Sequence, residues 1–161
     1  MEIKLIDNFL EKNVFNNIKD ILTNDKFCWY YQPIVGNKND YSDFFFCHFL
    51  FENNQQTSPS FSNILMPILG KLNFNYLIRA KINLYTKKDK KIKTAFHKDF
   101  NEEHTVALYS VNTNNGYTLF KNNQKIFSKE NQLIIFNGNL EHCSVAQTDE
   151  KIRINININI T

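Results

Sequence analysis

The sequence predicts a mainly β protein: a double-stranded β-helix, of the jelly-roll or cupin-like kind, whose core is covered by N-terminal helices. From Tyr76 onward, short β-rich runs at 76–85, 92–99, 105–111, 117–121, 125–127, 132–136, 141–146 and 151–160 are separated by polar turns. Many short strands in succession suit two packed sheets that protect each other's edges. The last run, KIRINININI, alternates with a period of two, as a strand with one apolar and one polar face does. Before Tyr76, apolar residues recur instead at helical spacing in two segments. A chain of 161 residues, 42% of them hydrophobic, suffices for one well-buried core and is short for two. The expectation is one domain over 1–161, with a helical and strand support over 1–75 and the β-helix core over 76–161.

In order along the chain, an apolar strand at Ile3 to Ile6 precedes a segment, 11–23, that places Val14, Phe15, Ile18, Ile21 and Leu22 on one helical face, with Asp7 or Asn8 near its start. Aromatic runs at 27–32 and 44–51 read as strands, parted by the turn-rich VGNKND. A second helix is expected next, capped by Ser58 with Pro59 at its first position. Its stripe would be Phe61, Ile64, Leu65, Ile68, Leu69 and Leu72, kinked at Pro67.

Composition narrows the function classes. No basic stretch followed by an apolar run opens the chain, and no segment approaches the eighteen or so apolar residues of a membrane span, so a cytoplasmic protein without membrane partners is expected. Cys28, Cys47 and Cys143 form no CxxC pair and read as reduced, packed thiols. The net charge of +3 is small, and the lysines of 87–93 read as a solvated loop rather than a nucleic-acid patch. Arg79 and Arg153 are the only arginines. Each merits a reason, because a guanidinium offers a rigid two-pronged donor that lysine cannot imitate.

The chemistry starts in TAFHKDF, where His97 and Asp99 stand two apart on a predicted strand and so share a face. Two imidazoles and a carboxylate on one face of an octahedral ion leave three positions open, the ligand set of non-haem Fe(II) oxygenases. A second histidine must come from His48, His104 or His142. His142 alone lies on a late strand of the same β region, and the other two are assigned structural or surface roles.

Parity in an expected C-terminal hairpin connects His142 to Arg153. With Gln147 to Glu150 as the loop, Ser144 faces Arg153 and His142 faces Asn155, so these four point one way. Ile152, Ile154, Ile156, Ile158 and Ile160 point the other, and Cys143 is expected to face with them. Arg153 then lies one diagonal step from His142, roughly 7–8 Å along the backbone. That offset suits a five-carbon diacid held by a metal at one end and a guanidinium at the other. An isolated H-x-D is common by chance; its occurrence in order with a histidine and an arginine of compatible parity is much less so.

These residues resemble the Fe(II)/2-oxoglutarate-dependent oxygenase superfamily, especially its prolyl-hydroxylase-like branch, over most of the chain. IKLIDNFLEKNVFNNIKDIL looks like that branch's opening strand and helix, FHKDF like its H-x-D motif, and ALYSVNTNNGYTLFK like the strand, turn and strand that follow. QLIIFNGNLEHCSV is similar to the distal-histidine segment, and KIRINININ to the final strand with the co-substrate arginine. The resemblance implies Fe(II) held by His97, Asp99 and His142, which would be the catalytic centre, and 2-oxoglutarate paired through its far carboxylate with Arg153. It implies co-substrate contacts for Tyr85 and, two residues earlier on the same face, Asn83. Asn155 stands where many relatives have Ser or Thr. Where relatives often supply a tyrosine from the strand 105–111, Tyr109 and Ser110 both fall, and which points inward stays open.

The implied reaction consumes O2 and 2-oxoglutarate, releases succinate and CO2, and hydroxylates an organic substrate. Peptidyl proline is the first substrate implied, followed by a free amino acid or other small metabolite, and the lysines favour an acidic one. Specificity is expected in the loops 33–43 and 86–93. The nucleic-acid demethylase branch carries a second arginine where this chain has Asn159, which speaks against nucleic acid as substrate. Two rival readings are a cupin-like protein that binds a metal or small ligand without turnover, and a structural jelly roll that binds no metal.

Overall fold

The computed structural model describes residues 3–33 and 43–161. The C-terminal Asn/Ile alternation forms β11 (Ile152–Ile160), the middle of the large sheet. It pairs antiparallel with β5 (Leu77–Thr86) on one edge and β6 (Thr105–Ser110) on the other. Beyond β6 lie β9 (Gln132–Asn137) and β1 (Lys4–Ile6). Beyond β5 lie β3 (Phe45–Glu52) and β2 (Tyr30–Gln32), with the two-residue β4 (Gln55–Gln56) folded onto β3. A second antiparallel sheet contains β10 (His142–Val145), β7 (Tyr117–Phe120) and β8 (Lys125–Phe127). Arg153 of β11 reaches across to Ser144 and Val145 of β10, so the two sheets face each other.

Alternation along β11 divides the interior. Ile154, Ile156, Ile158 and Ile160 join the main apolar core with Phe15, Ile18 and Leu22 of α1 (Lys12–Thr23). A smaller cluster of Val106, Leu108, Phe120, Ile126, Ile134 and Phe136 draws on both sheets. The entry to α1 is secured from β9's approach rather than by Asp7 or Asn8. Asn131 accepts from the Leu10 amide at 2.9 Å and donates to the Leu10 carbonyl at 2.8 Å, while Asp7 accepts from Lys129 and Gln132.

Several expectations are corrected. Among the described residues helices are few, and only α1 is of any length. The second is a π-helical turn, Phe61–Leu65, running into a four-residue α2 (Met66–Leu69). Pro67 has no N–H to give, and the Met66 amide reaches back five residues to the Phe61 carbonyl. Ser58 does not cap it. Its hydroxyl instead accepts from the Ser60 amide and meets His48 Nε2 at 2.7 Å. The run 92–99 is no continuous strand; it meets β10 through isolated bridges at Lys93–Val145 and His97–His142 and through the Thr94 hydroxyl, which accepts from the Ser144 amide at 3.1 Å. β10 and β11 form no hairpin, since each belongs to a different sheet. Cys143 therefore does not sit among the isoleucines, although it is buried. Cys28 is exposed rather than packed. VGNKND and most of the loop 33–43 lie outside the described residues. Among those described, no helix is long and apolar enough to cross a membrane.

Ile156 is fully buried at the centre of the core. Ile156→Ala is expected to cost about 2–5 kcal/mol through lost burial and the cavity left behind. Urea denaturation monitored by tryptophan fluorescence and circular dichroism measures it.

Candidate metal centre

The two histidines are placed by a single backbone contact. The His97 amide donates to the His142 carbonyl at 2.9 Å and the His142 amide returns the bond to His97 at 3.0 Å. Residues directly opposite in an antiparallel pair share a face, so both imidazoles project together, ring centroids 4.8 Å apart. Each Nδ1 lies near the carbonyl two residues earlier, Ala95 at 3.2 Å and Leu140 at 3.1 Å. A proton on Nδ1 satisfies that carbonyl and leaves each Nε2 free to accept. Burial pulls the His142 imidazole below its usual range, with Asp99 opposing this and His97 adding to it. His142 is thereby kept neutral, the form that binds metal.

Asp99 follows His97 by two residues, outside any regular strand. Its Oδ2 accepts from the side-chain amides of Asn157 at 3.0 Å and Asn159 at 2.9 Å. Its Oδ1 lies 3.4 Å from Arg79 Nη2 and 4.0 Å from His97 Nε2. Burial raises the carboxyl's proton affinity, but His142, Arg79, the Asn159 hydrogen bond and Lys81 outweigh it and hold the group well below the usual carboxylate range. One oxygen is thus anchored, and the other points towards the imidazoles. The ligand atoms of His97, Asp99 and His142 all lie within 4.8 Å of one another, a group that can hold a metal ion.

These three side chains line a cavity of about 320 Å³, which also takes in Arg153, Tyr85, Asn83 and Asn155. Arg153 is 3% exposed. Its Nη1 donates to Ser144 Oγ at 3.0 Å and to the carbonyls of Val145 and Tyr117 at 3.1 and 3.4 Å, but its Nε has no partner. Burial pulls this guanidinium down, so an anion arriving there relieves both the desolvated charge and the orphaned donor. Tyr85, opposite Arg153 in the β5–β11 register, has its ring centroid 5.7 Å from the guanidinium carbon and stacks on Phe45. Burial pushes its phenol up to about 12. Asn83 donates to Asn155 at 2.9 Å. The donor set therefore fits both a divalent ion and a short diacid.

The hairpin expected from sequence does not exist, yet His142, Ser144, Arg153 and Asn155 face one cavity, because their strands oppose each other across the two sheets. Tyr109 does not join them. It is packed in the α1-side core with its hydroxyl donated to Asn131. Ser110 is buried but does not line the cavity. His48 is held between the Cys28 carbonyl and Ser58, and His104 packs against Gly138, where an added Cβ would come 2.1 Å from its Nε2.

Sequence reasoning missed Arg79, Lys81, Asn157 and Asn159. Its own parity rule contained the signal, because the face shared by Asn83 and Tyr85 extends two and four residues back to Lys81 and Arg79. Asn157 and Lys81 are register partners, as are Asn159 and Arg79. Gly116 was also passed over. A Cβ there would lie 2.8 Å from Asn114 Oδ1 and 3.1 Å from Arg153 Cδ.

No family model matches the sequence, and no curated protein matches it. Solved structures do. An oxidoreductase of the 2OG-Fe(II) oxygenase family from Burkholderia pseudomallei is similar at a TM-score of 0.67 and 8% identity, over 98% of this chain and 84% of that one. A viral collagen prolyl hydroxylase from Paramecium bursaria Chlorella virus-1, in complex with 2OG, gives 0.58 and 12% over 99% and 95%. The chain has the fold of these oxygenases. A prolyl hydroxylase from Trichoplax adhaerens, in complex with a hypoxia inducible factor oxygen degradation domain peptide fragment, gives 0.64 and 10% over 98% and 82%. The resemblance seen in FHKDF and KIRINININ is supported by this jelly-roll likeness, prolyl hydroxylases included.

Asp99 binds its proton less tightly in the fold than its ordinary value of 3.8 implies. Its contribution to stability is complete above about pH 5 and is lost as acid protonates the folded carboxylate. In metal-free protein, Asp99→Asn is expected to flatten the acid limb of stability against pH, read by urea denaturation from about pH 3 to pH 6. Gly116→Ala is expected to destabilise the fold by about 1–3 kcal/mol by crowding Asn114 and Arg153, read as a lowered Tm.

Proposed function

We propose that the chain is an Fe(II)- and 2-oxoglutarate-dependent dioxygenase that hydroxylates an organic substrate and releases succinate and CO2. The observation that supports this best is the sharing of one cavity by a His-Asp-His group and a buried guanidinium with an unpartnered Nε. His97 and His142 would supply neutral Nε2 donors to the iron, and Asp99 the Oδ1 that its two asparagines leave free. Arg153 would receive the far carboxylate of 2-oxoglutarate, with Tyr85 as a wall and Asn83 and Asn155 as polar neighbours. When bound, iron and 2-oxoglutarate would activate O2, the oxidant, with oxidative decarboxylation of 2-oxoglutarate supplying two of the electrons and the substrate C–H bond the other two. The chain's part is geometric: it holds His97 against β10 by backbone pairing, sets a carbonyl beside each imidazole Nδ1, and would shelter the co-substrate from bulk water.

The fold's prolyl-hydroxylase neighbours, one with a bound peptide, support peptidyl proline or a small molecule as the hydroxylated compound. Purified protein with Fe(II), ascorbate and 2-oxoglutarate is expected to form succinate. His97→Ala is expected to abolish it together with Mn(II) binding measured by electron paramagnetic resonance. Arg153→Lys should act mainly on the KM for 2-oxoglutarate, raising it roughly tenfold or more, because the forked donor becomes a point charge. Full succinate formation by His97→Ala with iron present would overturn the metal assignment. Metal binding without any decarboxylation would favour a ligand-binding cupin instead.

A further inference from the structure

The cavity holds a lysine, Lys81, whose charge helps keep Asp99 ionised but whose ammonium forms no ion pair or hydrogen bond among the described residues. Lys81 lies midway along the cavity face of β5, between Arg79 and Asn83. Its register neighbours are Asn157 on β11 and Phe49 on β3, neither of them acidic. Its Nζ sits 5.6 Å from the Phe45 ring centroid, and among the described residues no carboxylate lies within ion-pair distance of it. Arg79, beside it, makes one contact to Asp99 and stacks on Phe100, leaving its own buried Nε without a partner.

Charge and position both point to an anion. Among the described residues, Arg79, Lys81, Lys98 and Arg153 line the cavity against the single carboxylate of Asp99. A divalent ion and a dianionic co-substrate cancel each other, so the positive surplus remains once both are in place. Burial, with Arg79 beside it, lowers the Lys81 ammonium's hold on its proton while Asp99 opposes this, and an incoming anion would favour the charged form and recover part of that cost. Lys81 is also well separated from the co-substrate end. Four residue steps of strand, about 13 Å, separate its backbone from that of Tyr85, which sits opposite Arg153. Asn157, its own register partner, donates to Asp99, so Lys81 stands level with the candidate metal ligands. An anionic group lodged there brings the carbon next to it close to the metal.

We propose that the substrate is a small carboxylic acid, and that Lys81, with Arg79 beside it, receives its carboxylate. This rests on the oxygenase reading and sharpens it from a broad class to a free acid, because an internal peptidyl proline has no carboxylate to offer. Specificity then resides on β5 inside the barrel, in addition to the loops.

The test is a binding comparison by isothermal titration calorimetry on protein loaded with Mn(II) and N-oxalylglycine. The probes are L-proline, L-leucine and L-lysine, each against its α-amide, with acetyl-L-prolinamide standing for a peptidyl residue. At least one acid is expected to bind ten or more times tighter than its amide. Lys81→Met and Lys81→Gln should reduce that preference to within about twofold, and Lys81→Arg should restore most of it. With the preferred acid as substrate, Lys81→Met should raise its KM at least tenfold and change the KM for 2-oxoglutarate less, the reverse of Arg153→Lys. Thermal melts check that the variants fold, and two variants of different shape guard against one failing to do so.

Equal binding of acids and amides, no binding by any acid, or an acid preference that survives in both Lys81→Met and Lys81→Gln would overturn the proposal. So would a Lys81→Met effect confined to N-oxalylglycine, which would assign Lys81 to the co-substrate. If N-oxalylglycine itself fails to bind in the presence of Mn(II), the oxygenase reading falls separately. The acid-against-amide comparison is then read on the protein without it.

Discussion

Two-sided pairing of β11 is the constraint on which the molecule rests. With β5 and β6 hydrogen-bonded to its edges, its alternate residues are committed to opposite faces. A slip of one residue would drive asparagines and Arg153 into the α1-side core and expose a row of isoleucines to the cavity. Each buried amide left unpaired costs about 1–3 kcal/mol, so several at once fix the register firmly. The same register aligns Arg153 with Tyr85, Asn155 with Asn83 and Asn157 with Lys81. Core and cavity are two readings of one alternation.

Residues with a strict local pattern were the most legible from sequence. The Asn/Ile run disclosed both faces of β11, and helical spacing disclosed α1. What depended on long-range pairing was not. The expected hairpin between 141–146 and 151–160 used the nearest partner in sequence, whereas β9, β10 and β11 alternate between the two sheets. His142 and Arg153 meet in the cavity all the same, because residues facing inward from opposed sheets converge as residues on one face of a hairpin do. The second helix misled because its apolar stripe was real while the effect of Pro67 on the backbone was underestimated. Arg79 and Lys81 were legible by parity, but no motif drew attention to them.

Polar groups unpartnered within the protein concentrate where β5 and β11 face each other. Arg79 Nε, Asn83 Oδ1, Arg153 Nε, Asn157 Oδ1 and Asn159 Oδ1 are all buried without a hydrogen bond. Three more lie elsewhere, at His104, Gln132 and Gln147, so the strand pair β5–β11 holds most of the unpartnered groups among the described residues. Asp99 illustrates the balance: it is buried and ionised, steadied by two amides and a guanidinium, with one oxygen still facing the imidazoles.

The reciprocal backbone bond between His97 and His142 has a consequence for assembly. Small metalloproteins often stay unfolded until their ion arrives, because nothing else gathers the ligands. Here two peptide groups have already brought the imidazoles side by side, and strand pairing has done the same for the amides that orient Asp99. On the proposed metal reading, the ligands would be gathered by the barrel's own backbone pairing rather than by the ion.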